Sequence, residues 1–136
     1  MKLFLDTNVI VDLLEDREPW VQDVMILFQL AVEKKVELLV SDLTIVNLAY
    51  ITRKSYSKER LYDALVRLRK FVTIVEIGCN AIDNAIDCRY NDFEDAVQYF
   101  AAARKNVNYI ITRNARDFSF SSIQVLTPGE FLNLIL

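Results

Sequence analysis

Short apolar runs alternate with longer segments of helical periodicity along the whole chain of 136 residues. The short runs have the length of strands, whereas the longer segments repeat their apolar positions at helical spacing. Strands that alternate with helices form a parallel sheet that is covered by helices on both faces. The predicted strands are Lys2–Leu5, Val36–Val40, Phe71–Ile77, Tyr109–Thr112 and Ile123–Leu126.

Seven helices are predicted between and after these strands. Several of them follow a residue that is a good N-cap, because its side chain can accept a hydrogen bond from the first helical turn. Asn8 is the expected N-cap of the first helix. The predicted helices are Val9–Leu14, a segment from Pro19 to Lys34 and Lys35, segments after the caps Ser41 and Ser57, Asn80–Cys88, a segment from Asn91 or Asp92 through Lys105, and Pro128–Leu136.

The bulk properties favour a single domain that covers residues 1–136, with no internal repeat and no linker. The apolar runs are far below the roughly 20 residues of a membrane span, and the N-terminal run meets Asp6 too early for a signal peptide. Cys79 and Cys88 do not have the spacing of zinc ligands and are expected to be reduced thiols. These features together predict a cytoplasmic protein.

The net charge is −3, and a nucleic-acid-binding protein usually leaves a basic footprint instead. A cluster of metal-binding acids would lower the total without excluding a local basic strip. Most of the basic groups are also explained as solvated helix faces. They are Lys54, Lys58 and Arg60, then Arg67, Arg69 and Lys70, and finally Arg104, Lys105, Arg113 and Arg116.

Acidic side chains stand where the predicted strands end and where one late helix begins. Asp6 follows the first strand, Asp117 follows the strand Tyr109–Thr112, and the cluster Asp92-Phe93-Glu94-Asp95 opens a helix. Function in parallel sheets lies at the carboxyl edge of the strands. Several acids at one edge would repel one another, and a hard divalent cation such as Mg²⁺ or Mn²⁺ removes that cost. The chain contains no histidine, so the ligands that these positions provide for a metal ion are oxygen atoms.

Each of these acids also has a purely structural explanation. Asp92 can be an N-cap, Glu94 and Asp95 suit the positive end of a helix dipole, and Asp117 can be an exposed turn residue. One acid of the cluster can cap the helix while another coordinates a metal, so the two explanations are compatible.

Four motifs in this order make the chain resemble the PIN-domain nucleases over essentially its whole length. They are Phe4-Leu5-Asp6-Thr7-Asn8-Val9, Asp92-Phe93-Glu94-Asp95-Ala96-Val97-Gln98, Ile111-Thr112-Arg113-Asn114-Ala115-Arg116-Asp117-Phe118 and Val125-Leu126-Thr127-Pro128-Gly129-Glu130-Phe131-Leu132. The resemblance implies a three-layer α/β fold with a central, mostly parallel sheet of four or five strands. It also implies an endoribonuclease that uses Mg²⁺ or Mn²⁺ to cleave RNA phosphodiester bonds. Many small members are toxins of toxin–antitoxin pairs, so an antitoxin partner and a homodimer are expected.

Carried over by position, the resemblance assigns the catalytic metal to Asp6, Asp95 and Asp117, with Glu94 or Asp92 assisting. Asp117 stands later than the family's usual fourth acid, whose place holds Asn114. The expected contacts to the substrate, of which the first two also orient Asp6, are Thr7, Asn8, Arg113 and Asn114.

The chain departs from the family pattern at Asn47, where the family commonly has Glu. An amide oxygen can still position a ligand water, but it brings no negative charge. The alternative hypothesis is therefore an inactive PIN-like module that binds RNA or a protein. A phosphate-relay domain or a haloacid-dehalogenase-type phosphatase fits poorly, because Asp6 is followed by Thr7 and then by Asn8 rather than by a second acid.

Overall fold

The computed structural model describes residues 1–136 and contains five strands and seven helices in the predicted order. No helix has the length and apolar character that crossing a membrane requires. A short 3₁₀ turn at Ala115–Phe118 was not predicted. The elements are β1 Lys2–Leu5, α1 Thr7–Leu14, α2 Val21–Val32, β2 Glu37–Ser41, α3 Asp42–Ile51, α4 Lys58–Leu68, β3 Val72–Val75, α5 Gly78–Cys88, α6 Phe93–Arg104, β4 Tyr109–Ile111, β5 Gln124–Leu126 and α7 Pro128–Ile135.

All five strands are parallel and lie in the order β3-β2-β1-β4-β5. The chain builds the sheet outward from β1 to β3 and then crosses to the other side of β1 to add β4 and β5. This reversal opens a crevice at the carboxyl ends of β1 and β4, where parallel sheets bind their ligands. Leu5 pairs with Ile111 in the β1–β4 ladder. The residues that follow them, Asp6 and Thr112, therefore lie side by side.

Alternate residues of each strand point to opposite faces of the sheet, and both faces are buried. Leu3 and Leu5 belong to one core cluster, which also takes side chains from α1, α2 and α7. Phe4 belongs to the other cluster, which α5 and α6 cover with small side chains such as Ala85 and Ala101. The three-layer α/β architecture is thus confirmed.

The first helix begins two residues earlier than predicted, and its N-cap is Asp6 rather than Asn8. Asp6 has the extended backbone of a cap, and its Oδ1 accepts a hydrogen bond of 2.8 Å from the Thr7 amide. The Asn8 side chain instead donates to the Thr112 hydroxyl. The predicted caps Ser41, Ser57 and Asp92 are confirmed, since each accepts a hydrogen bond from the third residue of its helix.

Phe131 ties the closing helix to the sheet, because its side chain is fully buried and its ring lies 5.7 Å from that of Tyr109. We expect Phe131→Ala to lower the free energy of unfolding by about 3–5 kcal/mol, the usual cost of a large cavity. Phe93→Ala is the matched control, because Phe93 is 51% exposed. Urea denaturation measures both changes. Equal losses for the two variants would contradict this account of the core.

Candidate functional site

An acidic pocket of 320 Å³ opens at the carboxyl edge of the sheet, at the crevice between β1 and β4. It collects the five carboxylates that the sequence places at strand ends and at the start of α6, although they are up to 111 residues apart in the chain. Its lining consists of the acids Asp6, Asp92, Glu94, Asp95 and Asp117, together with Thr7, Asn8, Val11, Arg17, Ile51 and Asn114.

Asp6 lies at the centre of a set of short hydrogen bonds and is only 7% exposed. Its amide donates to the carbonyl of Ile111 over 2.9 Å, which extends the β1–β4 ladder by one residue. Its Oδ1 accepts from the Thr7 amide over 2.8 Å, and its Oδ2 accepts from the Thr112 hydroxyl over 2.8 Å and from Asn8 Nδ2 over 3.3 Å. The carboxylate is thereby fixed in one orientation.

The Thr112 hydroxyl connects the carboxyl ends of β1 and β4 by hydrogen bonds. It donates its single proton to Asp6 and accepts from Asn8 Nδ2 over 3.2 Å and from the Asn114 amide over 3.1 Å. A threonine hydroxyl has one proton to donate and two lone pairs that accept, so this group is fully used. Thr112 was predicted as a strand residue within one of the four motifs, but it was given no role in the site.

A buried polar network supports the pocket from below. Thr44, which is fully buried, accepts from Gln98 Nε2 over 3.2 Å and from the Ser41 hydroxyl over 3.4 Å. Its hydroxyl also lies 2.8 Å from that of Thr7. With both acceptor positions filled, Thr44 must donate its proton to Thr7. The network therefore connects α3, α6 and the start of α1 beneath the acids.

The first turn of α6 combines capping with a place in the pocket. Asp92 Oδ1 accepts from the Asp95 amide over 3.0 Å, so Asp92 is the N-cap, and it also lines the pocket. Glu94 and Asp95 occupy the first helical turn and point into the same space. The capping explanation is confirmed for Asp92, whereas metal coordination by this cluster stays a prediction.

The acids disturb one another's ionisation. Burial raises the pKa of Asp6, although its hydrogen bonds from Thr112 and Thr7 oppose that shift. Burial, followed by the charges of Asp6 and Asp92, raises the pKa of Asp95 to about 7. Partial burial and the same two charges raise the pKa of Glu94. The hydrogen bonds and positive charges around the pocket therefore do not fully compensate its negative charge.

The donor set suits a hard cation in its chemistry, because it consists of carboxylate and amide oxygens with uncompensated charge. No group of three or more acidic side chains in the structure is yet arranged so that it could hold a metal ion. Coordination would therefore need side-chain rotations that bring the carboxylates closer together.

The Arg113 side chain does not line the pocket, so its predicted contact with phosphate stays a prediction. Its Nε donates to Asp12 Oδ2 over 2.7 Å, and its guanidinium lies 4.2 Å from the centre of the Trp20 ring. Asp12 is fully buried in α1, and its other oxygen has no partner. A buried carboxylate is costly unless it is paired, so Asp12 holds the arginine away from the acids. Only the Arg113 amide reaches the site, where it donates to Asn8 Oδ1 over 3.3 Å.

Asn47 is half-buried on α3, one turn beyond Thr44, and it does not line the pocket. Its predicted role therefore stays a prediction.

Three residues, Arg17, Val11 and Ile51, line the pocket without having been predicted there. Val11 could have been found from helical spacing, because it lies one turn beyond Thr7 and Asn8. Nothing in the sequence around Arg17 indicates its position.

The comparison with known proteins agrees with the motifs. Residues 2–116 match the PIN domain family. Ribonuclease VapC1 of Aquifex aeolicus strain VF5 is 30% identical over 138 residues, which cover 96% of this chain and 92% of that protein. The chain therefore belongs to the PIN-domain family.

Solved structures share the fold. One chain of the DNA-bound VapBC2 complex from Rickettsia felis aligns with a TM-score of 0.70 at 19% identity, covering 93% of this chain and 97% of that chain. A toxin–antitoxin complex from Klebsiella pneumoniae aligns with a TM-score of 0.66 at 24% identity, covering 93% and 97%. VapC20 of Mycobacterium tuberculosis, described as a sarcin–ricin-loop-cleaving toxin, aligns with a TM-score of 0.66 at 14% identity, covering 90% and 98%.

The raised pKa of Asp95 predicts how stability depends on pH when divalent cations are removed with EDTA. Its pKa of about 7 exceeds the ordinary value of 3.8, so the folded protein binds the extra proton between these pH values. The free energy of unfolding should fall as pH rises through that window, by up to ~1.4 kcal/mol per pH unit. Asp95→Asn should flatten the decline, whereas the exposed Asp87→Asn should not. Urea denaturation from pH 4 to 8 measures the slopes, and equal slopes for wild type and Asp95→Asn would refute the assignment.

The Asp12–Arg113 pair predicts a large effect on stability. We expect Arg113→Ala to lower the free energy of unfolding by about 3–5 kcal/mol, because it leaves a buried carboxylate without a partner. Arg116→Ala, at an exposed position, should change it by less than about 0.5 kcal/mol. Adding Asp12→Asn to Arg113→Ala should recover part of the loss. A loss below about 1 kcal/mol for Arg113→Ala alone would show that the buried pair does not stabilise the fold.

Proposed function

We propose that this protein is a metal-dependent endoribonuclease that cleaves RNA phosphodiester bonds and acts as the toxin of a toxin–antitoxin pair. The observation that carries the proposal is the acidic pocket at the crevice of the sheet, with five carboxylates from distant parts of the chain and a raised pKa for Asp95. The relation to a ribonuclease at 30% identity over nearly the full length supports the same activity.

Mg²⁺ or Mn²⁺ fits the donor set, since both prefer oxygen ligands and retain several waters. Asp6, Asp95 and Asp117 would hold the ion, with Glu94 or Asp92 assisting. When bound, such an ion supplies a water of lowered pKa and stabilises negative charge on the phosphoryl group. The five lining carboxylates leave enough charge for this purpose even though Asn47 replaces an acid.

The chain's own residues fix the geometry of that centre. Asp6 Oδ2 already accepts from the Thr112 hydroxyl and from Asn8, whereas Oδ1 accepts only from the Thr7 amide, so Oδ1 is the oxygen that would hold the ion. Asn8 lines the pocket, but its side-chain amide already donates to Asp6 and to Thr112, so its part in the proposal is to orient Asp6. Asn114 donates to Thr112 through its backbone amide, which leaves its side chain at the pocket wall for the substrate. In the hydrolysis, a bond forms between the water oxygen and phosphorus, the bond from phosphorus to the ester oxygen breaks, and one proton of the water ends on that leaving oxygen. The chain has no imidazole to accept the proton.

The partners proposed are RNA as the substrate, an antitoxin protein and a second copy of the chain. Relatives of this fold were solved as VapBC and other toxin–antitoxin complexes. An apolar groove of 510 Å³ between α1, α2 and α4, with Arg60 and Arg67 among its lining residues, offers a protein partner a surface. Because RNA is the substrate, we place the activity in the cytoplasm.

Cleavage of a single-stranded RNA with Mn²⁺ tests the proposal. Asp6→Asn and Asp95→Asn should each reduce kcat/KM by about 100-fold or more, because a weakened metal site removes several kcal/mol of transition-state stabilisation. Asp83→Asn is the matched control, since Asp83 is exposed on α5 and outside the pocket. Equal activity of wild type and Asp6→Asn would remove the hypothesis.

Calorimetry distinguishes the enzyme from the alternative, an inactive binding module. A metal-dependent enzyme should give a heat of binding with Mn²⁺ that Asp95→Asn weakens and Asp83→Asn leaves unchanged. The absence of any heat at millimolar Mn²⁺ together with retained RNA binding would favour the module instead.

A further inference from the structure

One basic side chain lines the acidic pocket, and it is Arg17, in the turn between α1 and α2. Asp16 has a left-handed backbone with φ of 52°, which reverses the chain at the end of α1. The Arg17 amide then donates to the Asp12 carbonyl over 3.0 Å, and the Arg17 carbonyl accepts from the Val21 amide over 2.9 Å. The backbone of Arg17 is thus fixed while its side chain remains 41% exposed.

The guanidinium of Arg17 is held by Glu15 rather than by the acids of the pocket. Arg17 Nη2 donates to Glu15 Oε2 over 2.9 Å, and the Glu15 side chain is 22% exposed. Ser55 donates to the other oxygen of Glu15 over 3.4 Å, so Glu15 also contacts the turn between α3 and α4. That turn contains Lys54 and is followed by Lys58, the first residue of α4. Both lysines are exposed and form no salt bridge in the structure.

We infer that Arg17 binds the RNA phosphate next to the one that is cleaved, and that Glu15 competes with RNA for its guanidinium. This inference rests on the proposed ribonuclease activity. RNA is a polyanion, so a basic side chain among the residues that line the acidic pocket favours its approach. Arg is suited to phosphate because it can donate two parallel hydrogen bonds. An exposed ion pair is worth only ~0–1 kcal/mol, so phosphate can displace Glu15 at little cost.

The chain contains its own matched control for this pair. Glu33 and Lys35 repeat the arrangement at the end of α2, with a separation of 3.0 Å and a left-handed residue between them. That second pair precedes β2, at the amino edge of the sheet, and it does not line the acidic pocket. If these pairs served only to end helices, removing either cation would have the same effect on RNA.

The test measures RNA binding separately from cleavage, in the Asp6→Asn background and with a fluorescein-labelled single-stranded oligoribonucleotide. Arg17→Ala should raise Kd about tenfold, because the charge-assisted bonds to phosphate are lost and the loss is partly offset by the bond to Glu15 that no longer has to break. It should also reduce the slope of log K against log salt by about 0.7, which is the share of one phosphate contact. Arg17→Lys should be intermediate, and Lys35→Ala should match the parent in both quantities.

Glu15→Gln should change the Kd for RNA in the opposite direction. Its amide oxygen can still accept from Ser55, but it carries no charge to pair with Arg17. RNA then no longer competes with a carboxylate for the guanidinium, so Kd for RNA should fall two- to threefold. Unchanged Kd and slope for Arg17→Ala would overturn the assignment, and a raised Kd for Glu15→Gln would overturn the competition. Failure of the proposed activity is distinguishable, because it would appear as absent cleavage by the protein with Asp6 intact while these binding differences persist.

Discussion

The pairing of β1 with β4 is the constraint on which the rest of the site depends. It sets Asp6 beside Thr112, whose hydroxyl helps to fix the least exposed acid of the pocket. A shift of register by one residue would turn every side chain of β1 to the other face. Leu3, Phe4 and Leu5 resist such a shift, since each is buried in the core cluster of its own face. The core therefore determines the position of the acid.

The negative charge of the pocket opposes the stability that the packed core provides. The N-terminus of α6 carries partial positive charge that favours Asp92, Glu94 and Asp95, but the pKa of Asp95 still rises to about 7. The helix end therefore compensates only part of the cost of burying Asp95 and of the repulsion among the acids. Acids with pKa values raised in this way are expected to lower the free energy of unfolding near neutral pH when no cation is bound, as residues do that are kept for binding rather than for folding.

The sequence predicted the elements, their order and the meeting of the acids, because each rests on a local pattern or on the rule for parallel sheets. It did not predict that Asp6 would replace Asn8 as the N-cap. That outcome depends on Thr112, a partner more than 100 residues away, which takes the Asn8 amide. Asp12 did leave a signal, since an acid within the apolar run Ile10–Leu14 implies a buried cationic partner. Which cation would fill that role required the fold.

The two arginines show why charge and motif position alone do not assign a phosphate contact. Arg113 stands in a family motif directly after a strand, but withdrawing it from Asp12 would leave a fully buried carboxylate unpaired, at a cost of about 3–5 kcal/mol. Arg17 stands in no motif, and its bond to Glu15 is partly solvated, so exchanging that partner costs ~1 kcal/mol or less. We therefore expect a substrate phosphate to displace Glu15 from Arg17 more readily than Asp12 from Arg113. On this argument, the burial of the competing acid matters more than the position of the arginine in the sequence.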